Sequence, residues 1–293
     1  MPARLFYWQD RGMPKVTASK SRTLALIRCC HPIPCLAVAS FAAMFAYANG
    51  FGSERLLIIF AAVLLQQISV GLSNDWLDHK VDKVANRVDK PTVSGLVKVS
   101  WLRAGSLTAA GLAQLVATTM GGPAAIVMFL MLVFGWSYNL GLKANWLSAL
   151  PYALGFGTIP IFIGMAAAEP HWVPGWVVLV SALLGVSAHF ANVLPDLAAD
   201  KLTGVNALPH ILGQRFSAIV IAVTALLATV SIVTQSAHLA APVAAGGLAI
   251  TLALAGVASL LSLRPKPPRV VFPLLMLTAL TNVILMVLGI RAS

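Results

Sequence analysis

The amino-acid sequence predicts an all-α integral membrane protein of nine transmembrane helices, arranged as two four-helix pseudo-repeats plus one further helix. Three observations lead there. Of 293 residues, 59% are hydrophobic and 10% are charged, with mean hydropathy +0.86, whereas soluble domains carry about 25% charged residues. A water-facing surface cannot be built from so few charges, and so much apolar surface excludes a disordered chain. Apolar stretches of about 20 residues, the length of a helical span, recur nine times. A polar motif occurs twice, its copies four helices apart.

In order, the spans fall at 24–48, 55–79, 101–119, 123–140, 146–167, 172–194, 216–235, 239–262 and 270–290. Residues 1–22 form a basic N-terminal segment with no apolar run followed by a small-residue cleavage site, so no removable signal peptide is expected. Residues 23–293 make up the membrane domain. Cys29, Cys30 and Cys35 lie together in the first span, a grouping that offers neither a disulfide framework nor zinc spacing; they are expected to be packing atoms. With nine spans the loops alternate sides. The N-terminal segment and the loops after spans 2, 4, 6 and 8 then hold eighteen of the twenty Lys and Arg, leaving Arg55 and Arg291 opposite. By the positive-inside rule the N-terminus is cytoplasmic.

Six of the nine acids lie at the ends of spans 2 and 6 or in the loops that follow, both on the cytoplasmic side. Asn74, Asp78, Asp82 and Lys83 follow the pattern N-x3-D-x3-D-K, and Asn192, Asp196, Asp200 and Lys201 repeat it 118 residues later. On a helix, positions i, i+4 and i+8 drift only about 40° per step, so each set lines one stripe, and Asp75 widens the first. Two such helices face to face would gather five carboxylates and two carboxamides. Carboxylates that close repel one another unless a cation sits among them. Magnesium fits best, taking one or two carboxylates and completing its shell with water and phosphate oxygens. With only His79 adjacent and no cysteine, zinc and copper are disfavoured. The bland alternative is a pair of helix ends salt-bridged by Lys80, Lys83 and Lys201.

Arg87 and Lys90, in the loop after span 2, can donate to a phosphate that also bridges the metal. Tyr138, Asn139 and Lys143 come at the cytoplasmic end of span 4, and Arg28 lies near the start of span 1. Topology-setting surface charge is the competing reading of these cations. His189, one turn before Asn192, is expected to pack. A transporter would also use intramembrane acids and repeats. Here the acids sit at helix ends rather than the bilayer centre, and four helices per unit make the repeats direct rather than inverted.

These residues resemble the UbiA superfamily of intramembrane prenyltransferases. The stretch NDWLDHKVD at 74–82 is similar to its NDxxDxxxD motif, NRVDKPTVSG at 86–95 to its basic tract, and DLAADKLTG at 196–204 to its second acidic motif. ALPHILG at 207–213 resembles the segment that follows in the family. The resemblance implies a bundle around a central cavity, capped by the loops after spans 2 and 6. It implies two Mg2+ ions held by Asn74, Asp75, Asp78, Asp82, Asn192, Asp196 and Asp200 on the diphosphate of an isoprenyl donor. Arg87, Lys90, Lys143 and Lys201, with Arg28 and Tyr138, would contact the same diphosphate. Lys90 stands where the family more often has arginine, and His31-Pro32 where many members have Arg-Pro. The implied activity is magnesium-dependent transfer from a prenyl diphosphate to a lipophilic, aromatic acceptor, as in quinone biosynthesis, in a bacterial plasma membrane. Terpene cyclisation and a non-aromatic acceptor are its alternatives. The implied partners are the two substrates and the lipid bilayer, with no nucleic acid and no obligate protein partner.

Overall fold

A computed structural model describes residues 18–194, 197, 206–236, 239–265 and 267–291. Every predicted apolar stretch is helical, but the first is broken. Helix α1 (Ala18–Cys29) and α2 (Pro32–Ala48) meet at an angle of 51°. The proline at 32 disfavours the α region for the residue before it. His31 accordingly sits in the left-handed region, at φ 51 and ψ 62, which histidine tolerates better than most residues. The uninterrupted helix expected over 24–48 is therefore corrected to a bent pair.

Helix α3 (Ser53–Val84) has 32 residues, about 48 Å at 1.5 Å per residue. The hydrocarbon core is about 30 Å thick, a length that residues 53–73 alone would match, leaving the turns that carry Asn74 to Asp82 in excess of it. Then come α4 (Val99–Thr118), α5 (Gly122–Asn139), a 3-10 turn (Leu142–Ala144), α6 (Leu150–Met165) and α7 (Gly175–Val193). The chain closes with α8 (Leu208–Gln235), α9 (Ala241–Ser262) and α10 (Val271–Arg291). Helix α8 starts eight residues before the expected 216 and is kinked at Gly213, whose φ of 77 leaves helical space.

Among the described residues, six helices are long and apolar enough to cross a membrane, or seven if α1 and α2 count as one. The two that fall short have visible reasons. Helix α6 is only 16 residues long and contains Pro160, and α4 carries Arg103, Ser106, Thr108 and Gln114 among its alanines.

From α2 to α10 each helix packs on the next, and α10 packs back on α2, closing a ring. Contacts of α3 with α5, of α2 with α6 and of α7 with α10 cross its interior. The main core joins α2, α3, α5, α6 and α7 around Phe45, Ile59, Met128 and Phe162. A smaller one, with Cys29, Leu72 and Leu102, lies under the α1–α2 bend. Cys29 and Cys35 are buried free thiols, as expected of packing atoms. Small residues let backbones approach, as is usual between helices in lipid. A Cβ on Gly71 would lie 2.7 Å from the carbonyl oxygen of Cys30, and one on Gly185 would lie 2.6 Å from that of Tyr152.

Candidate active site at one end of the bundle

The first acidic motif occupies the last turns of α3, and the chain beyond it folds back over those turns. Asn86, at φ 51, provides the left-handed residue the reversal needs, a conformation asparagine adopts readily. The Arg87 N–H donates to the Asp82 carbonyl (3.0 Å), and the N–H groups of Val93 and Ser94 both donate to the Lys90 carbonyl (3.0 Å each). This loop carries Lys90 back to α3, where Nζ donates to Asp75 Oδ1 at 2.7 Å. His31 Nε2 approaches the same oxygen at 3.4 Å. Burial alone would lower the Lys90 pKa, but the Asp75 carboxylate raises it further, and the balance lies above the ordinary lysine value.

The other carboxylates have different partners. Lys143, from the 3-10 turn after α5, binds Asp78 through Nζ. Arg87 lies 4.0 Å from Asp82 Oδ1 and 3.6 Å from Asp89 Oδ2. Asp82 is buried, and its Oδ2 has no hydrogen-bond partner. Lys80 and Lys83 are exposed, so the pairing partners come from two loops and not from α3 itself.

Two adjacent residues at the end of α5 link α3 with α6 and α7. Asn139 Nδ2 donates to the Val70 carbonyl and to Ser73 Oγ, each at 2.8 Å, and Asn74 Nδ2 donates to Asn139 Oδ1 at 3.1 Å. Tyr138 packs edge-on against Tyr152 and His189, at ring-centroid separations of 5.1 and 5.8 Å. His189 is wholly buried and its Nε2 is 3.0 Å from Ser148 Oγ, which accepts the Leu208 N–H at 2.9 Å. It packs, as expected, and ties α7 to the start of α8. Asn192 is exposed on the last turn of α7, and Arg28 is exposed at the end of α1. Asp196, Asp200 and Lys201 lie outside the described residues.

The structure thus brings together Asn74, Asp75, Asp78, Asp82, Arg87, Lys90 and Lys143 at one end of the ring. Among the described residues no three Asp, Glu, His or Cys side chains converge as a metal site; a single α3 stripe does not form a cage. Its donors nevertheless suit a hard cation. One carboxamide atom of Asn74 lies 3.1 Å from Asp78 Oδ2, and with the amide oxygen turned that way the pair offers two oxygens to a cation. Two neighbouring ligands of an octahedral Mg2+, each at 2.0–2.1 Å, are separated by about 3 Å. Sequence reasoning assigned no role to His31 or Asn139. The departure His31-Pro32 and the position of Asn139 beside Tyr138 were the available signals.

Known proteins share the family and the fold of this chain. The model of the UbiA prenyltransferase family matches residues 35–286. Over 176 residues the chain is 27% identical to the digeranylgeranylglyceryl phosphate synthase of Methanothrix thermoacetophila, covering 59% of this chain and 64% of that protein. It is also 27% identical over 209 residues to the bacteriochlorophyll synthase 33 kDa chain of Cereibacter sphaeroides, covering 67% and 68%. The chain therefore spans about two thirds of the length of these curated relatives. In fold it is similar to a UbiA homologue from Archaeoglobus fulgidus solved with DMAPP and Mg2+, at a TM-score of 0.71 and 14% identity, covering 91% of this chain and 98% of that one.

Proposed function

The chain belongs to the UbiA prenyltransferase family, and from that premise we propose that it transfers an isoprenyl group from a prenyl diphosphate to a lipophilic, aromatic acceptor within the membrane. The observation that carries this reading is the meeting of three α3 acids with three cations at one end of an apolar ring. Asp75 is paired with Lys90, Asp78 with Lys143, and Asp82 lies within 4.0 Å of Arg87. Such a site holds a diphosphate at its mouth while leaving an apolar interior for the prenyl tail.

Asn74, Asp75, Asp78 and Asp82 would hold one part of the magnesium complement, and Asn192, Asp196 and Asp200 the other, two ions in all. The chemistry that bound Mg2+ supplies is neutralisation of charge on the leaving diphosphate. Lys90, Lys143 and Arg87 donate to the phosphate oxygens and stabilise the charge that develops there. Lys201, Arg28 and Tyr138 complete the diphosphate contacts. The C1–O bond breaks with its electron pair departing on the diphosphate, the acceptor forms a bond to C1, and the acceptor loses one proton. The ring of helices keeps water from the allylic cation. In this reading α4 and α6 cross the membrane with the other helices to give nine spans. The N-terminus and the acidic mouth, capped by the loops after α3 and α7, face the cytoplasm of a bacterial cell.

The test uses purified protein in lipid nanodiscs, a labelled prenyl diphosphate and a panel of aromatic and non-aromatic lipophilic acceptors. The expected result is Mg2+-dependent release of diphosphate coupled to prenylation of an aromatic acceptor, abolished by Asp78→Ala and by Asp196→Ala. Wild-type turnover in either variant would overturn the two-motif site. A cyclised hydrocarbon formed without any acceptor would overturn the transfer step.

A further inference from the structure

Asn139 is 5% exposed, and its carboxamide can point only one way. Its two amide protons go to the Val70 carbonyl and to Ser73 Oγ, which uses its full donor capacity. Ser73 Oγ spends its own proton on the Val70 carbonyl at 2.9 Å, so it can only accept from Asn139. Turning the Asn139 amide over would forfeit both anchors. Oδ1 is therefore fixed as the acceptor that faces Asn74.

The carboxamide of Asn74, by contrast, has two plausible orientations. In one, Nδ2 donates to Asn139 Oδ1 at 3.1 Å, while Oδ1 faces Asp78 Oδ2 at 3.1 Å. In the other, the amide nitrogen donates to Asp78 Oδ2 at 3.1 Å and the oxygen accepts from Lys143 Nζ at 3.3 Å. The second orientation satisfies the metal-free neighbours but sets the amide oxygen against Asn139 Oδ1 at 3.1 Å. The first leaves two oxygens facing each other and the amide nitrogen 3.3 Å from Lys143 Nζ, an arrangement that a cation between the oxygens relieves.

We propose that Asn139 is a positioning residue that holds the Asn74 carboxamide with its oxygen toward Asp78, ready for a divalent cation. The proposal rests on the reading that Asn74 and Asp78 ligate Mg2+. Without the Asn139 acceptor the amide relaxes into the orientation bonded to Asp78 and Lys143, and presents nitrogen where the cation needs oxygen. Residues that orient metal ligands in this way typically alter affinity 10- to 100-fold when removed.

A helix staple between α5 and α3 would predict something else, namely a lower Tm with unchanged metal affinity. The experiment therefore measures binding of Mg2+ alone to the full chain in detergent micelles. The rise in Tm with MgCl2 concentration gives an apparent Kd, and Mn2+ binding followed by electron paramagnetic resonance gives a second value. Asn139→Leu is expected to weaken Mg2+ about 10-fold. In an Asn74→Asp background, where either carboxylate oxygen can face the metal, adding Asn139→Leu is expected to change the Kd less than about twofold. Should Asn139→Leu fail to fold, Asn139→Ala carries the same two expectations. A wild-type chain that does not bind Mg2+ would overturn the metal reading and this inference together. A wild-type chain that binds, with an Asn139 variant that binds equally well, would overturn this inference alone. A 10-fold loss that persists in the Asn74→Asp background would also overturn it, since the effect would then not pass through the amide.

Discussion

Replacing Lys90 by methionine isolates the electrostatics of the site from its chemistry. The Asp75 side chain is 3% exposed and that of Lys90 17%, so solvent screens the pair little. At 2.7 Å and an effective dielectric of about 20, the direct attraction is on the order of 6 kcal/mol. Much of that offsets the cost of burying both charges. The measurable quantity is the cost of leaving one charge behind, typically about 3–5 kcal/mol. His31, 3.4 Å from the same oxygen, remains as a partner, which places the loss at the lower end, about 3 kcal/mol. For a chain of this size that is a fall in Tm of about 6–12 °C, read by thermal unfolding of the protein in micelles without metal. Lys90→Met with Asp75→Asn should recover most of it, because no buried charge is then stranded. The pH dependence has a fixed sign. The Lys90 pKa lies above its ordinary 10.5, so the pair contributes fully below pH 10.5 and its contribution is lost as pH rises through the folded-state value. The gap between wild type and Lys90→Met should be constant from pH 7 to 9 and close at strongly alkaline pH. A loss below about 1 kcal/mol, as exposed ion pairs give, or a loss that Asp75→Asn leaves in place, would refute this account of the pair.

Two further perturbations test the frame around the site. Gly71→Ala gains about 1 kcal/mol in helix propensity, but its Cβ would meet the Cys30 carbonyl oxygen at 2.7 Å. Forcing the α1–α2 bend away should cost about 1–3 kcal/mol, and a Tm at or above wild type would show that the bend yields freely. Thr229→Val removes the hydroxyl that donates to Asn282 Oδ1 at 2.9 Å and lies 3.0 Å from Thr251 Oγ1. With Asn282 fully buried, the expected cost is about 1–3 kcal/mol. Thr229→Ser should keep most of the stability, and equal losses in the two variants would assign the effect to packing.

The helix positions were legible because a span must be apolar over a fixed length, and each predicted stretch is helical. The break at His31 was not read, although Pro32 and Pro34 announce it, because apolarity continues unbroken through the bend. The partners of the acids were harder still. Lys80 and Lys83 share α3 with Asp78 and Asp82, but at two and one positions' separation they point about 200° and 100° away around the axis. The side chains that do pair, Lys90 and Lys143, arrive on loops whose path depends on Asn86 and on the turn after α5. Asn139 stands 65 to 69 residues from the atoms it binds, so no local spacing could assign it a role.

That pairing also bears on how the chain is oriented. In the proposed nine-span reading, eighteen of twenty cations fall on one side, and Lys90 and Lys143 are among them. If net charge set topology, pairing them with Asp75 and Asp78 would weaken the signal. Topology follows Lys and Arg near the span ends, and acids contribute little. It is also read during insertion, before a loop has folded back onto α3. A lysine can therefore count toward orientation while the chain enters the membrane and later act as a counter-ion in the folded site. The two proposed roles of these cations, topology signal and phosphate ligand, would then be consecutive in the life of the chain and need not compete.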